Sequence, residues 1–319
     1  MVRAMFEILT ITLNPALDVA TSVDAVVPGA KLRCDEPRYD PGGGGVNVSR
    51  AILRLGGQSE AFVAFGGETG LMALSMLKAE GIEPIHFPVA GNTRQSMAVV
   101  ETSTGKQYRF QLPGPAWPPE QTDALLAALR PHLTQGRLVV MSGSVPAGVP
   151  ADIGNTINRL AIENGASMIL DTSGEALVSA AGNSGPPFAL LRMDGAEAAE
   201  VSGRSFATPA DLADYGLQLI ASGAAEKLVM SIGSKGTVGV SAEDRFFCQP
   251  PLIKTLSAVG AGDSMVAAIA LQLAAGNSFR DAVRHGVAAA GSAVMTPATQ
   301  LCSKQTADEI LERVVTAEI

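Results

Sequence analysis

A short run of small residues followed by a carboxylate is the part of the sequence best suited to chemistry. It reads Val259-Gly260-Ala261-Gly262-Asp263-Ser264 and leads into an apolar stretch of helical length. Small residues let the backbone turn tightly and aim consecutive N–H groups at one point, where a helix start adds partial positive charge. An anion forming in a transition state would be stabilised there, and Asp263 could act beside it as a general base. A plain helix start with an aspartate cap explains the same residues, so the run alone leaves both interpretations open.

A second run, residues 41–47, reads Pro-Gly-Gly-Gly-Gly-Val-Asn. Four glycines allow a ligand to press against bare backbone, and the amide of Asn47 can donate and accept hydrogen bonds to hydroxyl groups. The run lacks the Gly-Lys-Ser/Thr ending of a P-loop, and Asn47 stands where a Gly-x-Gly-x-x-Gly fingerprint needs its third glycine. A P-loop kinase and a dinucleotide oxidoreductase are therefore disfavoured. A flexible hinge stays possible, but the helical pattern that follows favours a ligand-binding turn.

The elements that must hold these sites alternate between apolar strands, glycines and helical segments. Apolar or β-branched runs predict strands at 6–13, 62–65, 138–141, 168–170, 188–191 and 228–231. Apolar residues recur at helical spacing from Val48 to Leu55 and from Leu71 to Leu77, and glycines follow both segments. From Gly260 onward the pattern predicts helices at 263–275, 279–294 and 306–315. The alternation predicts an α/β fold on a parallel, doubly wound sheet.

Two segments interrupt this alternation. Residues 96–101 and 108–112 flank the turn-like sequence Thr-Ser-Thr-Gly at 102–105, which predicts a hairpin. Residues 21–40 likewise lack helical periodicity. Together the two segments predict a small antiparallel flap that stands off the main sheet.

The composition limits the classes of protein and partner. The chain has 319 residues, 47% of them hydrophobic, and a formal net charge of −8. This length suits one large α/β domain, and the acidic excess argues against a nucleic-acid partner. Three well-separated cysteines, Cys34, Cys248 and Cys302, predict buried free thiols in a reducing compartment. Polar residues interrupt the N-terminal segment and no apolar run reaches membrane-spanning length, so we expect a cytoplasmic protein without a membrane partner.

Five motifs occur in order along nearly the whole chain. They are Asn14-Pro15-Ala16-Leu17-Asp18, the tetraglycine with Asn47, Ser-Gly-Ser-Val-Pro-Ala-Gly at 142–148, Asp-Thr-Ser-Gly-Glu-Ala-Leu at 171–177 and the Gly-Ala-Gly-Asp-Ser run. This set resembles the PfkB branch of the ribokinase-like carbohydrate kinases, and segments 30–34, 107–110 and 301–303 resemble its minor-type 6-phosphofructokinases. The resemblance implies one ribokinase-like domain over 1–319, a Rossmann-like three-layer αβα sandwich. It also implies a small β-sheet lid formed by about 19–40 and 88–112, and a homodimer joined through the lids.

The resemblance also implies roles for individual residues. Asp263 would take the proton from a sugar C1 hydroxyl, and the backbone of Gly260, Ala261 and Gly262 would form an anion hole. The implied contacts to sugar hydroxyls are Asp18, Gly43, Gly44 and Asn47; those to a phosphate on the sugar are Lys31, Arg94 and Ser144, with Arg109 a weaker candidate. The implied contacts to ATP are Arg192, Asp194, Ser231, Gly233 and Gly236. Mg²⁺ is implied at Asp194 and Glu197, and a monovalent cation such as K⁺ at backbone carbonyls near Ser257 and Val259. Taken alone, Lys31 and Arg94 fit solvated surface charge better than a phosphate site.

One segment departs from the pattern of that family. Where the family usually has Lys-Pro-Asn-x-x-Glu, residues 192–197 read Arg-Met-Asp-Gly-Ala-Glu. Arg192 preserves the positive charge, whereas Asp194 replaces an amide with a carboxylate of similar shape. Two carboxylates suit Mg²⁺, which prefers oxygen ligands. Our hypothesis is that catalysis is retained with an altered dependence on Mg²⁺ or ATP. The 295–300 segment, Met-Thr-Pro-Ala-Thr-Gln, also differs from the family's usual polar, glycine-containing stretch.

The activity that the resemblance implies is transfer of the γ-phosphoryl group of ATP to C1 of fructose 6-phosphate, which gives fructose 1,6-bisphosphate and ADP. Tagatose-6-phosphate kinases and 1-phosphofructokinases share every motif above, so the identity of the phosphosugar stays open. An inactive sugar-phosphate or nucleotide sensor is the alternative from another class. The intact run of small residues before Asp263 argues against it.

Overall fold

The computed structural model describes residues 7–183, 185–297 and 299–319. Phe6, which begins the first predicted strand, and Ala298, within the 295–300 segment, lie outside the described residues. The described strands are β1 Ile8–Thr12, β2 Ala16–Val23, β3 Arg38–Gly42, β4 Glu60–Val63, β5 Pro84–His86, β6 Arg94–Glu101, β7 Gln107–Gln111, β8 Leu138–Ser142, β9 Ser167–Asp171, β10 Leu190–Asp194, β11 Lys227–Ser231, β12 Thr237–Ser241, β13 Arg245–Gln249 and β14 Val315–Glu318. The described α-helices are α1 Gly44–Arg54, α2 Gly67–Ala79, α3 Pro119–Leu129, α4 Ile153–Glu163, α5 Gly174–Ala181, α6 Gly195–Ser202, α7 Pro209–Ala221, α8 Ala261–Ala274, α9 Phe279–Val294 and α10 Lys304–Leu311.

The main sheet has ten strands in the order β14-β13-β12-β11-β10-β9-β8-β1-β4-β5. From β11 to β5 every neighbouring pair is parallel. The carboxyl ends of these strands therefore meet at one edge of the sheet, which is where α/β folds bind ligands. Among the described residues, no helix is both long enough and apolar enough to cross a membrane.

Helices cover both faces of this sheet, which makes three layers. Strand β1 shows the reason, since all five of its residues are buried. Leu9 and Ile11 belong to an apolar cluster with residues of α3, α4, α5 and α7, whereas Ile8 belongs to a cluster with residues of α1, α8 and α9. Successive side chains of a strand point to opposite faces, so an apolar run of this kind must be covered twice. The α/β, ribokinase-like fold class is confirmed.

The sheet ends in an antiparallel edge, which the sequence pattern did not indicate. Strands β11 to β14 pair antiparallel in sequence order. The predicted helix 306–315 is wrong at its end, because α10 ends at Leu311 and the chain continues as β14. Residues 314–316 read Val-Val-Thr, whose β-branched side chains suit a strand. β14 covers the otherwise open edge of β13.

A second, four-stranded sheet has the order β3-β2-β6-β7. The expectation of an antiparallel flap is wrong for its central pair, because β2 and β6 are parallel. The flanking pairs β2–β3 and β6–β7 are antiparallel. Its strands begin at Ala16, earlier than the start at 19 expected for the first lid segment.

The register of the second sheet gives its two faces different chemistry. One cross-strand row consists of Asp40, Asp18, Ser96 and Gln111. The neighbouring row, on the opposite face, consists of Tyr39, Val19, Met97 and Phe110. Directly opposed residues of paired strands share a face, so the second sheet presents polar groups on one side and large apolar groups on the other.

The cysteines follow the prediction only in part. Cys248 and Cys302 are buried and free, as expected. Cys34 is free but exposed in the segment between β2 and β3, so the expectation of burial is wrong for this residue.

Candidate active site

The turn before α8 leaves backbone N–H groups without partners. Gly260 has a φ of 76° and caps the helix without a side-chain hydrogen bond. A Cβ at this position would lie 2.5 Å from Leu301 Cδ2, so glycine is required by both conformation and space. Ala261 N makes a long contact of 3.5 Å to Ala258 O, and the first regular bond of the helix is from Ser264 N to Gly260 O. The N–H groups of Gly262 and Asp263 donate to none of the described residues, so they are available to an anion.

Asp263 extends from this turn toward the start of α1. Asn47, in the first turn of α1, donates from Nδ2 to Asp263 Oδ2 at 2.9 Å. Burial, together with the nearby carboxylate of Asp171, raises the pKa of Asp263 to about 7, although Asn47 and Arg192 act in the opposite direction. A carboxyl group with a pKa near neutrality is suited to general base catalysis.

The tetraglycine brings α1 against the ends of β1 and β8. A Cβ on Gly44 would lie 2.3 Å from Ser142 Oγ, and a Cβ on Gly45 would lie 2.5 Å from Ile11 O. Gly43 has a φ of 105°, and a Cβ there would lie 2.8 Å from Pro15 Cα. The chain's own close approach therefore requires these glycines. That Gly43 and Gly44 also contact a sugar stays a prediction.

Asp18 lies on the polar face of the second sheet, near Arg94. Burial raises the pKa of Asp18 to about 6, against the opposing effect of Arg94, and Asp40 adds to the increase. Arg94 donates from Nε and Nη2 to Asn14 O at 3.3 Å and from Nη1 to Ser96 Oγ at 3.2 Å. Asp18 also adds to the raised pKa of Asp263, so these groups share one electrostatic environment.

A cavity of about 480 Å³, called the smaller cavity below, opens beside Arg94. Its polar lining consists of Asn14, Arg94, Gln111, Ser144 and Ser173. The structure therefore brings two of the three predicted phosphate contacts, Arg94 and Ser144, into one cavity.

The third predicted phosphate contact, Lys31, does not line the smaller cavity. Lys31 is exposed in the segment between β2 and β3 and takes part in none of the hydrogen bonds or ion pairs of the described residues. Arg109 is exposed on β7, opposite Ala98. Its charge acts to lower the pKa of Asp18, so it lies on the side of the second sheet that carries the polar row.

Arg192 lies near the end of β10 and pairs with a carboxylate at the end of the neighbouring strand β9. Its Nη1 is 3.1 Å from Asp171 Oδ1 and 3.9 Å from Glu197 Oε2. Burial alone would lower the pKa of Arg192, but Asp171 and Glu197 raise it above its ordinary value. Arg192 Nη2 lies 3.2 Å from the position of a Cβ on Gly262. The guanidinium therefore lies directly against the turn before α8.

The two predicted Mg²⁺ ligands form the start of α6. Asp194 Oδ1 accepts from the N–H groups of Ala196 at 2.9 Å and Glu197 at 2.8 Å, and Glu197 Oε2 accepts from Asp194 N at 2.7 Å. This reciprocal arrangement is a capping box. It leaves Asp194 Oδ2 and Glu197 Oε1 without hydrogen bonds to the rest of the described chain. Among the described residues, no group of three or more His, Cys, Asp or Glu side chains is placed to hold a metal ion.

A second cavity of about 1020 Å³, called the larger cavity below, lies between the ends of β10 and β11 and the start of α8. Its lining includes the predicted ATP contacts Arg192, Asp194, Ser231, Gly233 and Gly236. Apolar walls come from Phe206, Leu212, Ile232 and Val287. A cavity with apolar walls and a cationic end suits a ligand that has an aromatic part and an anionic part.

The predicted monovalent-cation residues precede the α8 turn. Ser257 is buried, and its Oγ accepts from Val259 N at 3.2 Å. The backbone of this segment is tied to the end of α9, because Leu256 N donates to Val294 O at 2.7 Å.

Sequence reasoning missed three groups that the structure adds to the site. Asn14 lines the smaller cavity and contacts both Arg94 and Ser144. Asp171 pairs with Arg192 and accepts from Ser142 Oγ at 2.9 Å. Asp40 lies opposite Asp18 in the second sheet. Asn14 and Asp171 stand in the motifs at 14–18 and 171–177, which signalled their importance but not their partners.

Comparison with known proteins agrees with this geometry. The model of the pfkB family carbohydrate kinases matches residues 12–306. The chain belongs to this family. It is 39% identical to ATP-dependent 6-phosphofructokinase isozyme 2 of Mycobacterium tuberculosis over 96% of this chain and 89% of that protein. It is 37% identical to the isozyme 2 of Escherichia coli over 96% of this chain and 98% of that protein. A 1-phosphofructokinase of Xanthomonas campestris is 34% identical over 84% of each chain.

Solved structures give the same result for the fold. The phosphofructokinase-2 of Escherichia coli in complex with potassium superposes with a TM-score of 0.92 at 36% identity, over 97% of this chain and 99% of that one. The complex of the same enzyme with fructose 6-phosphate superposes with a TM-score of 0.90 at the same identity and coverage. The resemblance deduced from the five motifs is therefore confirmed, and the chain is a carbohydrate kinase of this family.

Proposed function

We propose that the chain is an ATP-dependent 6-phosphofructokinase, which converts fructose 6-phosphate and ATP to fructose 1,6-bisphosphate and ADP. The observation that carries this proposal is that Asp263 lies next to one cavity and within electrostatic reach of groups beside a second cavity of different chemistry. Asp18 links Asp263 electrostatically to Arg94 in the smaller cavity, and Gly262 beside Asp263 lines the larger cavity. Relatives at 37–39% identity over 96% of the chain are 6-phosphofructokinases.

The smaller cavity fits the phosphate that is already on the sugar. Arg94 supplies a positive charge and a planar set of donors, which suits phosphate oxygens. Between this cavity and Asp263, Asp18 and Asn47 provide a carboxylate and an amide for sugar hydroxyls. A sugar held with its phosphate at Arg94 would present its other end to Asp263.

The larger cavity fits ATP. Its apolar walls suit a purine, and Arg192 with the free N–H groups of the α8 turn suits the phosphates. Asp194 Oδ2 and Glu197 Oε1 are left outside the capping box, and Mg²⁺ prefers to keep waters and to share few protein carboxylates. The residues present therefore fit Mg²⁺, which neutralises phosphate charge when bound with ATP.

Asp263 performs the one proton transfer that the reaction needs. As the C1 oxygen of the sugar forms its bond to the γ-phosphorus, the C1 hydroxyl proton passes to the Asp263 carboxylate. The bond between the γ-phosphorus and the β–γ bridging oxygen breaks, and ADP leaves with that electron pair. The unbonded N–H groups of Gly262 and Asp263 and the adjacent Arg192 guanidinium would stabilise the charge on the transferring group.

We extend the proposal to a K⁺ ion near the α8 turn. A structural neighbour, the phosphofructokinase-2 of Escherichia coli, was solved in complex with potassium. Here the Val259 carbonyl accepts no hydrogen bond from the described residues, so its oxygen is available to a cation.

A homodimer through the second sheet, in the cytoplasm, completes the proposal. Tyr39, Met97 and Phe110 are 37%, 40% and 52% exposed in one cross-strand row. A row of large exposed apolar side chains is typical of an interaction surface. The three free cysteines suit a reducing compartment.

An assay that couples ADP release to absorbance, with fructose 6-phosphate, tagatose 6-phosphate and fructose 1-phosphate at equal concentrations, tests the substrate. We expect kcat/KM for fructose 6-phosphate to exceed the other two by at least about tenfold, since a misplaced hydroxyl or phosphate leaves polar groups unpaired. Preference for fructose 1-phosphate would make the protein a 1-phosphofructokinase. Binding of a phosphosugar without ADP release would indicate a sensor.

A further inference from the structure

Asn14 connects two groups of the smaller cavity. It lies between β1 and β2, and its backbone carbonyl accepts both bonds from Arg94 Nε and Nη2. Its side chain makes a separate hydrogen bond, in which Nδ2 donates to Ser144 Oγ at 3.0 Å. A Cβ on Gly114 would lie 2.5 Å from Asn14 Oδ1. The carboxamide is therefore packed on one side and bonded to serine on the other.

The direction of this hydrogen bond determines what Ser144 can do. A serine hydroxyl has one proton to donate and two lone pairs that accept. Because Asn14 donates to Ser144 Oγ, the serine proton is not used in their contact, and Ser144 donates to no other described residue. The proton is left for a ligand in the smaller cavity.

We propose that Asn14 is a positioning residue that fixes the Ser144 hydroxyl as a donor to the phosphate of the sugar substrate. The cavity then offers phosphate the Ser144 O–H and the unused N–H groups of Arg94, and a phosphate dianion has only acceptors at its oxygens. This inference rests on the proposed function for the ligand. It adds a residue whose side chain acts through Ser144 and not through Arg94.

Calorimetric titration of the full-length protein with fructose 6-phosphate measures the effect. Asn14→Ala removes the N–H donor but keeps the backbone carbonyl that holds Arg94, and we expect Kd to rise about 5- to 20-fold. Asn14→Asp puts an acceptor beside Ser144, which turns the hydroxyl proton away from the cavity and adds a negative charge. For this variant we expect Kd to rise about 100-fold or more. In turnover, KM for the sugar phosphate should rise while kcat and KM for ATP stay near wild type.

A double-mutant cycle separates positioning from a general structural effect. Ser144→Ala alone should raise Kd about tenfold, and adding Asn14→Ala should change it by less than about twofold, because the partner is already gone. If the two effects multiply, Asn14 does not act through Ser144 and the inference is wrong. Asn164→Ala is the matched control. Asn164 Nδ2 donates to Leu160 O at 2.7 Å after α4, and its loss should leave Kd unchanged.

The outcomes distinguish this inference from the proposed function. Wild-type protein that binds fructose 6-phosphate without transferring phosphoryl to it would overturn the function, and the binding cycle would still decide the role of Asn14. Asn14→Asp that binds as tightly as wild type would overturn the inference and leave the function intact. Wild-type protein that binds no fructose 6-phosphate would overturn both. Melting temperatures show whether Asn14→Asp folds, and Asn14→Ala decides the question if it does not.

Discussion

At the scale of single residues, the surroundings of Asp263 set the pH at which the site works. Its pKa is raised to about 7 by burial and by Asp171, so the carboxylate is protonated and unable to accept a proton below that pH. We expect kcat/KM to fall about tenfold per pH unit below about 7. Above pH 7, Asp263→Asn should lower kcat by about 10²- to 10⁴-fold while sugar-phosphate binding stays nearly intact, and the difference from wild type should shrink as the pH falls. A variant with near-normal turnover would refute the base assignment.

The raised pKa of Asp263 affects folding stability with the opposite pH dependence to that of activity. The folded pKa of Asp263 is raised from 3.8 to about 7, so the folded protein holds a proton in this range that the unfolded chain has lost. Stability contributed by this group is therefore present below pH 3.8 and is lost as the pH rises to about 7. Asp263→Asn should melt at a higher temperature than wild type at pH 8 and not at pH 4.

Asn47→Ala removes the hydrogen-bond donor that favours the ionised form of Asp263. It should therefore move the acidic limb of the pH–rate profile to higher pH.

Asp194 combines a structural role with a charge, and the two can be separated. Asparagine can accept the same capping bonds, so Asp194→Asn should keep the melting temperature while it removes one negative charge near the phosphates. We expect half-saturation by Mg²⁺ to require about 3- to 10-fold more metal. Asp194→Ala, which also loses the cap, should in addition lose about 1 kcal/mol of stability. Unchanged Mg²⁺ and ATP kinetics in Asp194→Asn would contradict the hypothesis that this substitution alters metal dependence.

At the scale of elements, a polar contact ties the second sheet to the catalytic end of the main sheet. Thr299 Oγ1 accepts from Arg38 Nη2 at 2.7 Å and donates to Asp40, the residue opposite Asp18. Two residues on, Leu301 contacts the position where a Cβ on Gly260 would lie. Thr299 thus provides one of the connections between the two halves of the site.

Thr299→Val keeps the shape of the side chain and removes its hydroxyl. We expect KM for fructose 6-phosphate to rise about 3- to 10-fold, because β3 and with it Asp18 lose a fixed position, at a cost near that of one charged hydrogen bond. Thr299→Ser keeps the hydroxyl and should behave like wild type. Steady-state kinetics with both variants make the comparison, and equal KM values for valine and serine would show that the contact does not position the sheet.

Elements were predictable where one periodicity dominates. The helix predicted at 279–294 is α9 with the same bounds, because its apolar stripe is continuous. The predicted helix 306–315 runs past the end of α10 into Val315, the first residue of β14, since the pairing of this strand with β13 is a long-range contact. The parallel pairing of β2 with β6 depends on a long-range register that no local pattern contains. The sequence predicts ligand contacts for Gly43 and Gly44, whereas the close contacts of the glycines at 43–45 to Thr12, Ser142 and Ile11 appear only in the folded chain.

At the scale of the whole molecule, the net charge of −8 does not describe the electrostatic potential at the two cavities. Arg94 and Arg192 line the two cavities, and the α8 turn adds its free N–H groups. The electrostatic potential at a small ligand depends mainly on the charges within about 8 Å at physiological salt. A net charge that disfavours polyanions is therefore compatible with the binding of two small phosphates.

The apolar face of the second sheet, which carries Tyr39, Met97 and Phe110, should determine the oligomeric state. Phe110 and Met97 are directly opposed on β7 and β6, and both are about half-exposed. Phe110→Glu places a charge in the middle of the proposed interface, so we expect light scattering to give the mass of a monomer where wild type gives a dimer. Val178→Glu is the control, since Val178 is 49% exposed on α5, away from this sheet. Because Asp18 and Met97 lie on adjacent strands of the same sheet, the monomer should also show a higher KM for fructose 6-phosphate. A Phe110→Glu protein of wild-type mass would show that the copies do not meet through this face.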